Sequence, residues 1–340
     1  MTPPTRENSA RESRAGRIAL LGRPNVGKST LLNALLGEPI AIVSKHPQTT
    51  RDQIHGVLTL DATQYVFIDT PGLHRARTKL GTRMNALARE ASQGADVVIF
   101  MTDVAAPPRL RISPEDAAIL GTLSPSIPAV CVINKIDRVP DKPSLFPILE
   151  MYAKARAWKA IIPICALRTN GMDRILSEVR EHLPVGPPLF EGDDISDKPV
   201  RFFVAEFVRE QILRKTRQEV PHGVAVIVER FDETREVPFI EIAIHVDRES
   251  HKRIVIGAGG ALLKEIGTQA RARVEALLGV HVHLQLWVRV TPEWYESDSA
   301  LRDLGYGEPA KTEKSEKKTA KKQKRPQVRG AAPPEKKRPR

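Results

Sequence analysis

The sequence predicts an α/β domain with a mostly parallel, doubly wound sheet, followed by a smaller α+β domain. Strand-like apolar runs alternate with helical patterns between residues 17 and 183, which is typical of a sheet covered by helices on both faces. The segment 184–199 contains four prolines and two glycines without periodicity, as expected of a linker. Beyond it, the order of patterns changes to one helix, two strands, two helices and a final strand.

Local patterns place the elements of the first domain. A strand is expected at residues 17–21 and a helix at 30–36. Further strands are expected near 54–60, 64–69, 95–102, 128–133 and 160–165, and helices near 79–93, 114–122, 145–157 and 172–182. Polar or glycine-containing segments follow several of these strands. Ligands bind beyond the carboxyl ends of the strands in such sheets, so these segments are candidate binding residues.

The first such segment, GRPNVGKS from Gly22 to Ser29, joins the first strand to the first helix. Its glycines allow backbone N–H groups to face an anion, and the helix adds the positive end of its dipole. Lys28 supplies a charge for the β- and γ-phosphates, and Ser29 supplies a hydroxyl for Mg²⁺. The residues expected to contact the nucleotide here are Gly22, Arg23, Pro24, Asn25, Val26, Gly27, Lys28, Ser29 and Thr30.

A second segment, Asn134 to Asp137 (NKID), follows the fifth strand and indicates the base. The Asp137 carboxylate can accept hydrogen bonds from guanine N1–H and the N2 amine, a donor pair that adenine lacks. The Asn134 side chain is expected to bond the N7 side of the base. The residues expected around guanine are Asn134, Lys135, Ile136 and Asp137, with Cys165, Ala166 and Leu167 after the sixth strand.

A third segment, DTPG, begins at Asp69, where the third strand ends. Asp69 is expected to hold Mg²⁺ through its water shell, and the N–H of Gly72 to contact the γ-phosphate. The nucleotide contacts predicted here are Asp69, Thr70, Pro71, Gly72 and Leu73. Thr50 is our choice for a second Mg²⁺ hydroxyl, with Thr49 as the competitor. The predicted metal ligands are therefore Ser29, Thr50 and Asp69, and the predicted catalytic residues are Lys28, Thr50 and Gly72.

Together these three segments resemble the translation-factor-like class of GTPases, and within it the Era, EngA and TrmE group. The resemblance implies a Mg²⁺-dependent enzyme that hydrolyses GTP. Many GTPases keep a water-orienting glutamine after DTPG, but this chain has Leu73, so we expect slow intrinsic hydrolysis. In related GTPases the residue at the position of Asn25 helps to hold K⁺, which suggests stimulation by potassium.

The second domain resembles a type II KH domain. Its patterns predict a helix at 202–217, strands at 223–230 and 239–246, a GxxG turn between two helices, the second ending at Leu278, and a final strand at 281–290. Turns of this kind clamp the backbone of single-stranded RNA. The residues between its outer glycines are Ala258 and Gly259, so the turn lacks a basic side chain. His251, Lys252, Arg253, Lys264 and Arg271 could compensate. The RNA-binding residues predicted are Gly257, Ala258, Gly259, Gly260, Lys252, Arg253 and Lys264.

A G domain at 17–183, a linker at 184–199, a KH domain at 200–290 and a C-terminal segment at 291–306 resemble the Era family of bacterial ribosome-assembly GTPases. The resemblance implies binding near the 3′ end of 16S ribosomal RNA and a role in assembly of the small (30S) subunit. It also implies peripheral association with the inner membrane. Two alternatives stay open: an RNA-binding protein that uses GTP structurally, and a GTPase of tRNA modification, which would need a folate-binding domain before the G domain.

Charge and composition bound the remaining segments. Residues 311–340 contain thirteen Lys or Arg against three Glu, which accounts for ten of the net charge of +12. The basic tail 307–340 and the polar arm 1–16 are expected to be disordered. The tail could attract RNA or anionic lipid, or act only as a solubilising segment. Without a membrane-spanning run or secretory signal, and with two cysteines in apolar runs, a cytoplasmic monomer is expected.

Overall fold

The computed structural model describes residues 12–46, 48–104, 111–139, 141, 143–191, 194–216, 220 and 223–307. They form a six-stranded sheet and a three-stranded sheet, each with its own helices. Both predicted domains are therefore present in the predicted order. Among these residues, no helix is long and apolar enough to cross a membrane.

The first domain contains six strands and five α-helices among the described residues. In chain order they are β1 (Arg14–Leu21), α1 (Lys28–Leu36), β2 (Ile54–Leu60), β3 (Thr63–Asp69), α2 (Lys79–Gln93), β4 (Val97–Asp103), α3 (Pro114–Leu120), β5 (Ala129–Asn134), α4 (Phe146–Ala155), β6 (Ala160–Pro163) and α5 (Met172–Arg180). The sheet order is β2-β3-β1-β4-β5-β6, and only β2 pairs in the antiparallel sense.

Both faces of this sheet are buried, as the strand and helix alternation predicts. Ile18 and Leu20 of β1 pack with residues of α1 and α5, whereas Ala19 and Leu21 pack with residues of α2, α3 and α4. Successive side chains of a strand point to opposite faces, so one apolar run can serve two layers. The sheet is therefore doubly wound, and its parallel strands bring the candidate segments to one edge.

The boundary predicted for the N-terminal arm is wrong by three residues. Arg14 to Gly16 belong to β1, where they pair with Thr63 to Tyr65 of β3. The apolar pattern missed them because two of the four residues at the start of this strand are arginines. The Arg14 side chain donates to the carbonyl of Leu183, so a polar side chain is accommodated there. Residues 1–11 of the predicted arm lie outside the described residues.

The predicted linker lies along the first sheet and is attached to it by hydrogen bonds. The Gln64 side chain bonds the backbone at Leu189 and Phe190, and the N–H of Val57 donates to the carbonyl of Ile195 at 2.9 Å. A proline-rich composition predicts the lack of helix and strand but not these contacts. The described part of the linker therefore covers the open edge of β2.

The second domain has the predicted α-β-β-α-α-β order. Its elements are α6 (Val200–Lys215), β7 (Val224–Asp232), β8 (Phe239–Val246), α7 (Glu249–Ile256), α8 (Ala261–Leu278) and β9 (His283–Val290). β8 lies between β7, which is antiparallel to it, and β9, which is parallel. The three helices bury one face of this sheet, and the GxxG turn joins α7 to α8.

The C-terminal segment packs between the two domains. It ends in a short helix, α9 (Asp298–Asp303), and its Trp294 is completely buried. Trp294 lies in one apolar cluster with Leu80 and Met84 of α2 and Ala225 of β7, and its indole N–H donates to the carbonyl of Gly223 at 3.0 Å. The segment therefore ties α2 of the first domain to the sheet of the second. Residues 308–340, which include nearly all of the predicted basic tail, lie outside the described residues.

Candidate nucleotide site and RNA interface

The loop from Gly22 to Ser29 wraps around an open cavity of about 690 Å³. A Cβ atom at Gly27, where φ is +106°, would collide with the side-chain amide of Asn134. The Lys28 ammonium donates to the carbonyls of Gly22 and Arg23, at 3.1 and 3.3 Å, so it lies across the loop. Burial lowers the pKa of Lys28 to about 8. The loop thus holds a buried cation beside inward-facing backbone, which suits a phosphate chain.

Three oxygen ligands for a metal ion meet next to Lys28. The Ser29 hydroxyl lies 2.7 Å from Asp69 Oδ2 and 3.0 Å from the Thr50 hydroxyl, and Thr50 lies 3.2 Å from the same carboxylate oxygen. Asp69 is fully buried, and its Oδ1 has no hydrogen-bond partner among the described residues. Burial raises the pKa of Asp69, an effect opposed by Lys28, Ser29 and Thr50. A hard cation with bound water fits this donor set.

The choice between the two threonines follows from their hydrogen bonds. Thr49 donates to the carbonyl of His46 at 2.7 Å and lies 2.7 Å from the Ser44 hydroxyl, within its own loop. The Thr50 hydroxyl instead faces Ser29 and Asp69. The sequence could not separate the two because adjacent residues in an irregular loop have no fixed direction. The structure favours Thr50.

Gly72 lies so close to the phosphate loop that a larger residue would not fit. A Cβ atom there would lie 2.7 Å from the backbone nitrogen of Pro24. The carbonyl of Gly72 bonds the His74 ring at 2.9 Å, and the other ring nitrogen of His74 bonds the Gln48 side chain at 2.8 Å. The segments after Gly72 and before Thr50 are therefore joined directly. This arrangement fits the prediction that both respond to a γ-phosphate.

The predicted base-reading segment, Asn134 to Asp137, takes part in two hydrogen bonds that hold the site together. The Asn134 amide donates to the carbonyl of Val26 at 2.8 Å, and its oxygen accepts from the N–H of Ala166 at 3.0 Å. These contacts use one of the two N–H donors of the Asn134 amide, so its bond to guanine N7 stays a prediction. Asp137 remains exposed at the cavity, and a hydrogen bond from the Cys165 thiol lowers the pKa of Asp137.

The predicted nucleotide contacts differ in whether they line the cavity. Those that do are Pro24, Asn25, Gly27, Lys28, Ser29, Thr30, Gly72, Asn134, Lys135, Asp137, Cys165 and Leu167, and the predicted metal ligand Thr50 lines it too. Gly22, Arg23, Asp69 and Pro71 do not belong to the lining. The side chains of Val26, Leu73, Ile136 and Ala166 pack into the core instead, and the Thr70 hydroxyl donates to the carbonyl of Leu20. Any nucleotide contact of these five would come from the backbone, because their side chains are committed elsewhere.

The predicted RNA turn has an open outer surface. Gly257, Gly259 and Gly260 have φ values of 74°, 57° and 81°, and a Cβ atom at Gly259 or Gly260 would meet nothing within 4 Å. The positive φ at Gly259 gives a backbone reason for glycine at a position where a basic side chain could stand. Ala258 and Gly259 are exposed, so their N–H groups are open to a phosphate.

The basic residues near the turn differ in exposure. Arg253 and Lys264 are exposed on the helices that flank it, and Lys252 is half-buried. His251, expected as a compensating basic group, is buried against the carboxylate of Asp247. An imidazole held in this way cannot reach a phosphate, so the prediction for His251 is wrong.

Comparisons with known proteins agree with this geometry. Residues 17–135 match the family model described as 50S ribosome-binding GTPase, and residues 219–295 match the model of the KH domain. GTPase Era of Geotalea uraniireducens is 44% identical over 298 residues, which cover 87% of this chain and 99% of that protein. GTPase Era of Bordetella pertussis is 42% identical over 294 residues, covering 86% and 98%.

The chain belongs to the Era family of GTPases. Two solved Era structures superpose on it with a TM-score of 0.82. One, in complex with MgGDPNP and nucleotides 1506–1542 of 16S ribosomal RNA, is 37% identical and covers 87% of this chain and 99% of its own. The other, an Aquifex aeolicus Era variant bound to GDP and tetrafluoroaluminate, is 38% identical, covering 86% and 99%.

This member of the Era family has a charge cluster behind the phosphate loop that the sequence did not predict. Asp103, at the end of β4, lies 2.5 Å from Lys135 Nζ and 2.5 Å from Arg23 Nη2. Asp116 of α3 lies 3.1 Å from Arg23 Nε. Asp103 therefore links the phosphate loop to the base-reading segment. An acid that ends an apolar strand was the available signal, but its two cationic partners are distant in the chain.

Proposed function

We propose that this GTPase binds RNA at the 3′ end of 16S ribosomal RNA through its KH domain and acts in assembly of the 30S subunit. The supporting observation is the pairing of a nucleotide cavity and an open GxxG turn in one chain. A relative of the same architecture was solved with MgGDPNP and that RNA segment. This chain has the same two domains in the same order and superposes on that relative over 87% of its length. We therefore expect it to bind the same two kinds of ligand.

In the proposed site, Lys28 and the loop N–H groups hold the phosphates while Asp137 selects guanine. Ser29 and Thr50 would hold Mg²⁺, with Asp69 acting through its water shell. When bound, the ion supplies positive charge against the phosphate oxygens. Gly72 would contact the γ-phosphate through its N–H. Because His74 bonds both Gly72 and Gln48, loss of the γ-phosphate would affect the segment after Gly72 and the segment before Thr50 together. GTP would thus favour one conformation of these loops, and hydrolysis would release it.

The test measures RNA affinity and GTP turnover on the same full-length protein. Fluorescence anisotropy would compare a 16S 3′-end oligonucleotide with a scrambled one, in the presence of GDP or a non-hydrolysable GTP analogue. We expect tighter binding of the native sequence and a difference between the two nucleotides. Equal binding of both RNAs would contradict the proposal. Selective RNA binding with no GTP turnover would support an RNA-binding protein that uses GTP structurally.

Potassium is a further part of the proposal. Asn25, in the phosphate loop, donates its side-chain amide to the carbonyl of Lys45 at 3.0 Å, and both residues line the cavity. An amide oxygen beside a loop carbonyl is a suitable start for a K⁺ site, and the ion would supply charge that Leu73 cannot. Turnover should be faster in KCl than in NaCl at equal ionic strength. Equal rates in the two salts, with and without RNA, would contradict this.

We also propose a monomer in the cytoplasm with peripheral contact to the inner membrane. The support for membrane contact is the surplus of ten positive charges in residues 311–340. Sedimentation with phosphatidylglycerol vesicles should exceed that with phosphatidylcholine vesicles, and deletion of 311–340 should remove the difference. An unchanged difference after the deletion would contradict the role of the tail, and light scattering would report the oligomeric state.

A further inference from the structure

The loop that carries Thr50 is held by the second domain on both sides of that residue. On one side, the Arg209 guanidinium of α6 donates from Nη2 to the carbonyl of Thr49 at 2.6 Å. On the other side, the Arg51 side chain is buried and donates to the carbonyl of Val224 in β7 at 2.5 Å. Thr50 itself lies between these two attachments, with its hydroxyl facing Ser29 and Asp69.

The Arg209 guanidinium is fixed in one orientation by Glu206. Its side chain is 1% exposed, and its Nε and Nη2 donate to the two carboxylate oxygens of Glu206 at 2.7 and 2.6 Å. A planar guanidinium fixed by a two-oxygen contact keeps its remaining N–H groups in defined directions. One of those directions leads to Thr49. A charged donor makes this a stronger hydrogen bond than one between neutral groups.

We propose that Arg209 is a positioning residue for the metal-binding hydroxyl of Thr50. The inference rests on the proposed function, in which Thr50 holds Mg²⁺. The carbonyl of Thr49 belongs to the same planar peptide group as the N–H of Thr50. Fixing that carbonyl therefore fixes the orientation from which the Thr50 side chain starts. The second domain thus helps to assemble a metal site that lies wholly in the first domain.

The same helix connects this contact to the RNA turn. α6 packs against α8, which begins directly after the turn, and Lys215 of α6 lies 2.5 Å from Glu265 of α8. Glu210, beside Arg209, is buried and pairs with Arg273 of α8. A movement of α6 relative to the first domain would break the Arg209–Thr49 hydrogen bond. Displacement of the KH domain would then affect the position of Thr50 through the Arg209–Thr49 contact on one side and the Arg51–Val224 contact on the other.

The test replaces Arg209 by methionine in the full-length protein. Arg209→Met should raise the Mg²⁺ concentration needed for half-maximal binding of a non-hydrolysable GTP analogue by about tenfold, the effect of one lost charged hydrogen bond. GDP affinity without Mg²⁺ should not change. Arg201→Met, an exposed arginine on the same helix, is the matched control and should behave as the unmodified protein.

A second variant guards against a folding effect. Glu206→Gln with Arg209→Met removes both charges and leaves no unpaired carboxylate, and it should show the same rise in Mg²⁺ requirement. Thermal unfolding would check that each variant is folded. If Arg209 acts through Thr50, Arg209→Met should add nothing in a Thr50→Ala background. The inference would be overturned if the effects of Arg209→Met and Thr50→Ala were additive. It would also be overturned if Arg209→Met, alone and combined with Glu206→Gln, left the Mg²⁺ requirement unchanged. An unchanged requirement in Thr50→Ala alone would instead overturn the proposed role of Thr50.

Discussion

The phosphate loop at 22–29 and the KH turn at 257–260 both use glycines to present backbone N–H groups, but their surroundings differ. In the phosphate loop, a Cβ atom at Gly27 would collide with Asn134, and Lys28 is buried. In the KH turn, a Cβ atom at Gly259 or Gly260 would meet nothing within 4 Å. The first loop is closely packed and carries its own cation, whereas the second is open. We therefore expect steric changes to damage the first loop and charge changes to damage the second.

The largest expected effect concerns the base. Asp137→Asn should lower GTP affinity about a thousandfold, because two hydrogen bonds to a charged acceptor are lost. The asparagine amide can donate to a C2 carbonyl, so xanthosine triphosphate should bind better than GTP. Isothermal titration with both nucleotides would measure this. Equal competition of ATP with GTP in the unmodified protein would refute the role of Asp137.

Gly27→Ala tests the packing of the phosphate loop. The added methyl group meets the Asn134 amide at a backbone φ of +106°, so GTP affinity should fall about a hundredfold through strain and displacement of Asn134. Gly37→Ala is the control, since Gly37 also has a positive φ, of 74°, but open space around it. It should cost about 1 kcal/mol of stability, because alanine is disfavoured in the left-handed region, and leave GTP affinity unchanged. Similar GTP affinities for the two variants would remove the proposed contrast.

Charge at the open turn gives the next effect. Replacing Ala258 and Gly259 by Asp-Asp should weaken binding of the 16S 3′-end RNA at least about tenfold while GTP binding stays intact, because two carboxylates would face a phosphate. The Asn-Asn variant has nearly the same size without charge and should lose much less. Deleting residues 311–340 should instead weaken the binding of all RNAs alike and reduce the dependence of RNA affinity on salt concentration. A deletion that removes selectivity, combined with an Asp-Asp variant that keeps it, would show that recognition was assigned to the wrong segment.

The smallest expected effect is a pH dependence of GTP affinity at the phosphate loop. Burial lowers the pKa of Lys28 to about 8 from 10.5, so the nucleotide-free protein loses this proton as the pH rises through 8. The native state then binds fewer protons than the unfolded state between these values, and the Lys28 contribution to stability increases with pH there. Bound phosphates favour the ammonium.

GTP affinity should therefore fall about fourfold between pH 7 and 8.5. Calorimetry at pH 8.5 in buffers of different ionisation enthalpy should detect proton uptake on GTP binding. Binding without proton uptake would contradict the assignment. The described residues of the KH turn include no corresponding buried lysine. RNA affinity measured over the same pH range therefore serves as the internal comparison.

The sequence was most informative where a short segment contains its own evidence. The loop at 22–29 and the NKID segment each follow a strand, and strand, loop and helix are read from neighbouring residues. The α-β-β-α-α-β order of the second domain is equally local, and it was confirmed. The start of β1 at Arg14 was missed because pairing with β3, rather than an apolar pattern, places those residues in the sheet.

The remaining features depend on residues distant in the chain. Asp103 joins Arg23 to Lys135, and Arg209 reaches Thr49 across 160 positions. No periodicity or motif links such pairs, because the contact exists only once the sheet and the second domain have formed. For the same reason, the sequence did not reveal the hydrogen bonds of the Asn134 side chain to Val26 and Ala166, which lie in segments that follow two other strands.

The linker along β2 has a consequence for how the protein avoids self-association. β2 is the outermost strand of its sheet, and an uncovered edge of this kind is a template for pairing with another chain. Here the backbone at Ile195 accepts from Val57, Gly56 forms a bridge with Ser196, and Asp197 pairs with His55 at 2.8 Å. A G domain cut at residue 183 would expose this edge, so the segment that connects the two domains also shields the first one from aggregation.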